Sequence, residues 1–298
     1  MGSVLDYIEH NPKETQRLIG IKYEQLQQLI QKAQELNNKK LAEVEAKKTR
    51  IITSGGGRKP KLSLPNQIVL TLVYLRHLTT FQLLGIQFGV SESTANDTFN
   101  YWEPLLRELL PSSLLEQVKK SCDYESVKEI LTEYELIVDT CEQPRERPGD
   151  YQEQKKYYSG KKKNHTLKNQ LIILPNGEDI VDITVGEPGP KSDIKLFRER
   201  QQEFDSCQKF NGDKAYVGEP NIRTPQKKPK HRELTAIQKQ KNQELSSERI
   251  LVEHLIRLVK IFRVASERFR LNFHRYKQVI QTISGIVRLR IGALILPI

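Results

Sequence analysis

The sequence predicts an α/β protein in which an all-helical N-terminal half precedes a mixed α/β C-terminal half. Three observations carry that expectation. Up to Leu110, apolar residues recur at spacings of three and four, the period of amphipathic helices. Past Pro111 the pattern becomes strand, hairpin, helix, strand, long connection, helix, which is an α/β order. Between the first helix and the next helical unit, Ser54-Gly-Gly-Gly-Arg-Lys-Pro-Lys61 breaks both periodicities and reads as a basic, flexible linker. The expected divisions are a helical region over 1–53, the linker over 54–63, a helical unit over 64–120 and the α/β unit over 130–298.

The chain of 298 residues carries a formal charge of +11 and a pI near 9.4, so its partner is a polyanion, either nucleic acid or an anionic membrane surface. No apolar run approaches the roughly 20 residues that span a bilayer. The opening residues lack a basic stretch followed by an apolar one, so export is not expected. Cys122, Cys141 and Cys207 are scattered, odd in number and show no Cys-x-x-Cys spacing, which excludes a zinc or disulfide framework and fits a reducing cytoplasm.

Taken in order, Lys22–Lys48 forms a polar helix with a narrow apolar stripe at Leu26, Leu29, Ile30, Ala33 and Leu36. That stripe suits either a pairing surface between two copies or docking on the chain's own domain. Asn66–Leu78 and Phe81–Phe88 form two helices, with Gly89 at the tight turn that follows. Ser91 caps a third helix, Ser91–Trp102, fronted by Ser93, Thr94 and Asn96. Helix, glycine turn and polar-fronted helix is the arrangement of a helix-turn-helix, whose last helix enters the major groove of double-stranded DNA. A plain three-helix packing unit is the alternative, and Glu92 and Asp97 lean towards it.

In the second half Tyr134–Asp139 reads as a buried strand that ends on a carboxylate. Leu167–Leu174 and Asp179–Val185 are strands joined by the hairpin signal Pro175-Asn-Gly-Glu178. Ser192–Phe204 is a helix, Lys209–Asp213 a short strand ending on a second carboxylate, and Ser246–Lys260 an amphipathic helix. A final amphipathic region lies near Arg275–Leu294. Strand ends of one sheet converge at its rim, so Asp139 and Asp213 can meet there. Glu253 then supplies a third carboxylate from the helix, with Arg249, Arg257 and Lys260 spaced along the same flank. Three carboxylates at one point repel unless hard cations neutralise them, and Mg²⁺ with oxygen ligands suits the task. Two such ions would serve phosphodiester displacement. Each carboxylate alone is more often structural, and Glu248 competes with Glu253.

Basic segments flank these acids. Lys155–Lys168 includes Lys161, Lys162, Lys163 and His165 beside the adjacent Tyr157 and Tyr158, and Thr224–Arg232 includes Lys227 and Lys228. Lysines contact phosphates and tyrosines stack on unpaired bases. A solvated charge run is the alternative for either segment.

Five stretches together resemble the DDE transposases of bacterial insertion sequences, in particular the IS-five-like group, a helix-turn-helix joined to a DDE endonuclease. They are Val138-Asp139-Thr140, Tyr158-Ser-Gly-Lys-Lys-Lys-Asn-His165, Phe210-Asn-Gly-Asp-Lys-Ala-Tyr-Val-Gly218, Thr224-Pro-Gln-Lys-Lys228 and Arg249-Ile-Leu-Val-Glu-His254. The resemblance spans roughly 62–264. It implies a ribonuclease-H-like mixed-sheet core with Asp139, Asp213 and Glu253 as a metal-binding catalytic triad. The implied cofactor is Mg²⁺, with Mn²⁺ as a substitute and two ions expected. The family's tyrosine, arginine, glutamate and lysine signature falls on Ser246, Arg249, Glu253 and Lys260, so the tyrosine is replaced. Relatives often carry His-Asp where this chain has Ser192-Asp193, and Asp193 is not assigned to the metals. Arg249, Lys260 and the Lys161–His165 run are expected to hold phosphates.

The implied activity is binding of terminal inverted repeats, cleavage of element ends and transfer of 3′-hydroxyls to target DNA. A homodimer on DNA, no membrane, and a bacterial cytoplasmic, nucleoid-associated location go with it. A silent DNA-binding derivative and a non-transposing nuclease with the same core are the rivals.

Overall fold

The computed structural model describes residues 3–47, 60–119, 121–230, 232–294 and 296. The glycines and Arg58-Lys59 of the expected linker lie outside them, as does His231. The described chain opens with helices α1 (Val4–His10), α2 (Thr15–Ile19), α3 (Tyr23–Ala46), α4 (Leu64–His77), α5 (Phe81–Phe88), α6 (Glu92–Leu109), α7 (Leu114–Val118) and α8 (Tyr124–Leu131). Then come β1 (Glu135–Pro144), α9 (Tyr151–Tyr157), β2 (Tyr158–Ser159), β3 (Asn164–Ile173), β4 (Ile180–Pro188) and α10 (Asp193–Gln201). The chain closes with β5 (Lys209–Asn211), β6 (Ile222–Arg223), α11 (Ala236–Lys260), α12 (Arg263–Ser266) and α13 (Tyr276–Ile291).

The sheet is mixed. β4, β3 and β1 run antiparallel, and β5 and β6 continue parallel to β1. Three antiparallel strands followed by two parallel ones on the far side of β1 give the ribonuclease-H-like order that the resemblance implies. β3 is buried from Thr166 to Ile173, paired with β1 on one side and β4 on the other, and β1 is the middle strand of the five. The β3–β4 hairpin turns where expected: Gly177 adopts φ +68°, which glycine takes at no steric cost, and its N–H donates to the Leu174 carbonyl at 2.9 Å.

Burial decides where the helices sit and how far they run. The α3 stripe faces inward: Leu26, Leu29 and Ala33 are fully buried, beside Ile8, Ile19 and Ile21. This corrects the pairing-surface alternative, because residues each worth about 1.5–3 kcal/mol on burial are already occupied within the chain. α6 runs past its expected end at Trp102 because Trp102, Leu105 and Leu106 bury, and the Trp102 indole donates to Gln67 Oε1 at 2.7 Å. α11 likewise starts at Ala236, well before Ser246, with Thr235 as its cap.

α13 ties the two halves together. Fully buried Arg288 donates to both carboxylate oxygens of Asp179, at 2.6 and 2.8 Å, just before β4. From α6, buried Glu103 accepts bonds from Gln278 at 2.6 Å, Thr282 at 2.8 Å and Arg275 at 3.0 Å. A Cβ on Gly285 would lie 2.4 Å from the Leu110 carbonyl oxygen, so only glycine permits this close approach of α13 to the end of α6. One hydrophobic cluster runs from Leu5 through the helical half to Leu296, and a second fills the space around Phe197, Phe210 and Tyr216. No helix among the described residues is long and apolar enough to cross a membrane.

Candidate active site and nucleic-acid interface

Leu136, Ile137 and Val138 bury β1 in the sheet and carry it to Asp139. The Asp139 carboxylate accepts the N–H of Thr140 at 2.8 Å. Parallel pairing of Ile137 with Asn211 then brings the end of β5 alongside. Asp213 lies just beyond that strand, not on it as the sequence suggested, and its carboxylate caps the short helical turn Lys214–Tyr216 by accepting from Ala215 N–H at 2.7 Å. α11 packs across β1, with Arg249 and Glu253 one turn apart and Lys260 two turns further on.

Electrostatics link the three acids. The Asp139 carboxyl is pushed up to about 6, foremost by burial; the Thr140 N–H and Arg249 oppose the rise, and Asp213 and Glu253 add to it. Beneath them Tyr216 is fully buried, with its hydroxyl 3.1 Å from Gln170 Nε2, and burial together with Asp193, Asp139 and Asp213 holds its phenol well above the usual range. A cleft of about 440 Å³ opens at Asp139 and Glu253, and Lys161, Lys162 and Lys260 line it too. Asp213 stands outside that lining.

Lys168 and Asp193 also face the cleft, though neither was assigned to the site from sequence. Buried Lys168 donates to the Asp193 carboxylate at 2.6 Å and to the Lys191 carbonyl. Only the alternation of β3 could have signalled this, since Lys168 falls within a strand otherwise buried around it. Arg249 approaches Asp139 at 3.6 Å, and its Nε is buried without a hydrogen-bond partner. Glu248, the rival to Glu253, is a strut elsewhere: it accepts from Asn211 and Arg223, each at 2.6 Å, and Arg223 also pairs with Glu135. Ser246 donates to the Asn242 carbonyl at 2.8 Å, an ordinary back-bond along the helix.

Among the described residues, no group of three or more His, Cys, Asp or Glu side chains stands close enough together to hold a metal ion. Arg249 stands beside Asp139, and Asp213 is engaged in its capping bond. The donor chemistry still fits a hard divalent cation: three carboxylates, two of which raise the third, leave negative charge that oxygen-seeking ions neutralise.

The helical unit has the geometry expected of a helix-turn-helix. Gly89 adopts φ +67°, and a Cβ on Gly85 would lie 2.7 Å from the Val90 carbonyl oxygen, so α5 packs directly on the turn. Ser91 caps α6 by accepting from Thr94 N–H at 3.2 Å. Ser93 and Thr94 are exposed, whereas Asn96 is half-buried and accepts from Asn100 at 2.7 Å. Of the basic run, Lys161, Lys162 and Lys163 are exposed on the β2–β3 turn, and Lys163 lies outside the cleft lining. His165 sets its ring edge-on to Tyr158 at 5.5 Å. Lys227 and Lys228 are exposed on the loop before α11, away from the cleft, and Lys228 pairs with Glu233.

Comparison with known proteins gives three findings. Residues 138–288 match the family described as DDE superfamily endonuclease, and residues 60–112 match the helix-turn-helix of DDE superfamily endonuclease. The chain is 36% identical over 234 residues to a probable transposase for insertion sequence element IS702 of Microchaete diplosiphon, covering 77% of this chain and 82% of that one. Among solved structures, a pre-cleavage Mos1 transpososome aligns over 85% of this chain and 84% of that chain at 10% identity, with a TM-score of 0.16, too low to define a shared fold.

Proposed function

The chain belongs to the DDE-superfamily insertion-sequence transposases, and on that footing we propose that it binds the terminal inverted repeats of its element, cleaves the ends and joins them to target DNA. Its helix-turn-helix makes it a DNA-binding protein. The observation that carries the proposal is one cleft holding Asp139 and Glu253 among Lys161, Lys162 and Lys260, with Asp213 near enough to raise Asp139.

In this account Lys161, Lys162 and Lys260 hold non-bridging oxygens of the scissile phosphodiester, and the exposed front of α6 sets which duplex is presented. Water attacks the phosphorus and the 3′-oxygen leaves with a proton as a free 3′-hydroxyl. That hydroxyl then attacks a target phosphorus and displaces the target's own 3′-oxygen. DDE-superfamily endonucleases generally use divalent metal ions. Asp139, Asp213 and Glu253 would hold Mg²⁺, two ions being the expected number and Mn²⁺ a substitute; when bound it supplies Lewis-acid charge at the phosphodiester. Cutting two ends in concert calls for a homodimer on DNA. A bacterial cytoplasmic, nucleoid-associated location accompanies this activity.

One observation favours a silent DNA-binding derivative instead, namely the seat of Arg249 on Asp139. The test incubates purified protein and Mg²⁺ with a labelled duplex bearing the element's end and flank, together with a supercoiled target plasmid. The proposal expects cleavage at the end followed by joined products. Binding without cleavage in either Mg²⁺ or Mn²⁺ selects the silent derivative, and cleavage without joining selects a simple nuclease.

A further inference from the structure

β1 continues past the cleft for about six residues and closes at Arg145, so at ~3.3 Å per residue its end lies roughly 20 Å from Asp139. There the Phe269 N–H donates to the Pro144 carbonyl at 3.0 Å, pinning the connection between α12 and α13 to the end of the strand. A pocket of about 350 Å³ opens at this junction, walled by Arg145, Arg147, Arg270 and Phe273, with Glu146 as the sole carboxylate among its lining residues. The Arg145 guanidinium packs into the corner of two edge-on rings, 4.1 Å from the centroid of Tyr157 and 4.3 Å from that of Phe273. Its Nη1 is buried without a hydrogen-bond partner. A guanidinium packed against two rings keeps its charge in place, and three guanidinium groups against one carboxylate leave that charge uncompensated.

The pocket's position matters as much as its charge. Arg145 N–H donates to the His165 carbonyl at 2.9 Å, and Arg145 and Arg147 both act on the His165 ring, which stands beside the Lys161–Lys163 turn. On the other side Arg270 acts on Tyr74 of α4, and Arg275 bonds to Asn100 and Glu103 of α6. The pocket therefore lies between the cleft and the helix-turn-helix.

We propose that this pocket, formed by Arg145, Arg147 and Arg270, is a phosphate-binding subsite that guides the DNA backbone between the helix-turn-helix and the catalytic cleft. The proposal rests on the reading of the chain as an end-cleaving transposase. With one charge per ~3.4 Å of axis on each strand, a backbone running along β1 places the bound phosphates about six nucleotides from the scissile one. Arg147 and Arg270 supply exposed positive charge to the phosphates, while Arg145 provides the fixed floor.

The test uses the full chain and a labelled duplex bearing the element's end and flank, measuring affinity across a salt series. The double variant Arg147→Ala/Arg270→Ala is expected to bind more weakly and to flatten the slope of log affinity against log salt by about 0.9 for each phosphate no longer neutralised, hence by roughly 1.8. The matching Arg147→Lys/Arg270→Lys protein should keep the wild-type slope, and unchanged thermal unfolding of both shows that charge, not folding, is responsible. A neutral methylphosphonate about six nucleotides from the cleavage point should weaken the wild type and leave the alanine variant unaffected. An alanine variant with wild-type affinity and slope overturns the subsite. Wild-type protein that binds the duplex without cutting it contradicts the cleavage reading alone, because the slope comparison is read from binding.

Discussion

At the scale of single residues, Asp139 shows how a buried carboxylate costs stability. Burial, foremost, pushes its carboxyl up to about 6 from an ordinary value of 3.8. An acid raised on folding binds its proton more tightly in the folded state, so this group's contribution to stability falls as pH rises from about 3.8 through 6 and is regained on acidification through the same window. At about 1.36 kcal/mol per unit, the ionised carboxylate costs on the order of 3 kcal/mol above that window. Asp139→Asn is therefore expected to raise the melting temperature at pH 7.5 in EDTA, with the gain shrinking towards pH 4; calorimetry across that range checks it, and a lower melting temperature at pH 7.5 contradicts it. The choice between Glu253 and Glu248 also belongs to this scale. Helical spacing identified the flank shared by Arg249, Glu253 and Lys260, and the structure gives Glu248 a different task on Asn211 and Arg223.

At the scale of elements, two helices carry distinct predictions. If the front of α6 enters the major groove, Ser93→Ala with Asn96→Ala weakens binding to the element's end by about 1–3 kcal/mol for each base no longer read, while circular dichroism stays unchanged. Equal affinity for end and unrelated duplexes in both proteins would return α6 to a packing role. α13 is the internal tie, and Arg288→Ala strands Asp179 beside the sheet without its fully buried partner. Breaking such a pair costs about 3–5 kcal/mol, which chemical denaturation should record. The elements themselves were largely legible: α5, the β3–β4 hairpin and the Ser91 cap follow from periodicity, glycine and side-chain oxygen at the expected positions. The end of α6 was less so, because Leu105 and Leu106 bury against partners distant in sequence, whereas the start of α11 carries a local signal that the apolar period did not include, the Thr235–Gln238 capping box. β6, only two residues long, carries no period to read.

At the scale of the molecule, a chain of net charge +11 lines its cleft with Lys161, Lys162 and Lys260 and the pocket at the end of β1 with three arginines. Replacing Lys161, Lys162 and Lys163 with alanine should lower affinity for every duplex alike and flatten the salt slope by about 0.9 for each phosphate released, whereas an unchanged slope would mark the turn as solvated. Strand order placed Asp139 and Asp213 at neighbouring strand ends, since β1 and β5 pair in parallel, and the structure puts Asp139 and Glu253 in one cleft with Asp213 outside its lining. What sequence did not reveal were Lys168 facing Asp193 across the cleft and the arginine pocket, both products of packing between segments far apart in the chain. The central claim, that these three carboxylates form one catalytic centre, is tested most directly by single-turnover cleavage of the end duplex in Mg²⁺. Asp139→Ala, Asp213→Ala and Glu253→Ala should each slow cleavage by at least about two orders of magnitude, the scale of losing one transition-state electrostatic partner, with Glu248→Ala cutting near the wild-type rate. Wild-type cleavage by any one of the three, or a comparable loss in Glu248→Ala, would contradict it.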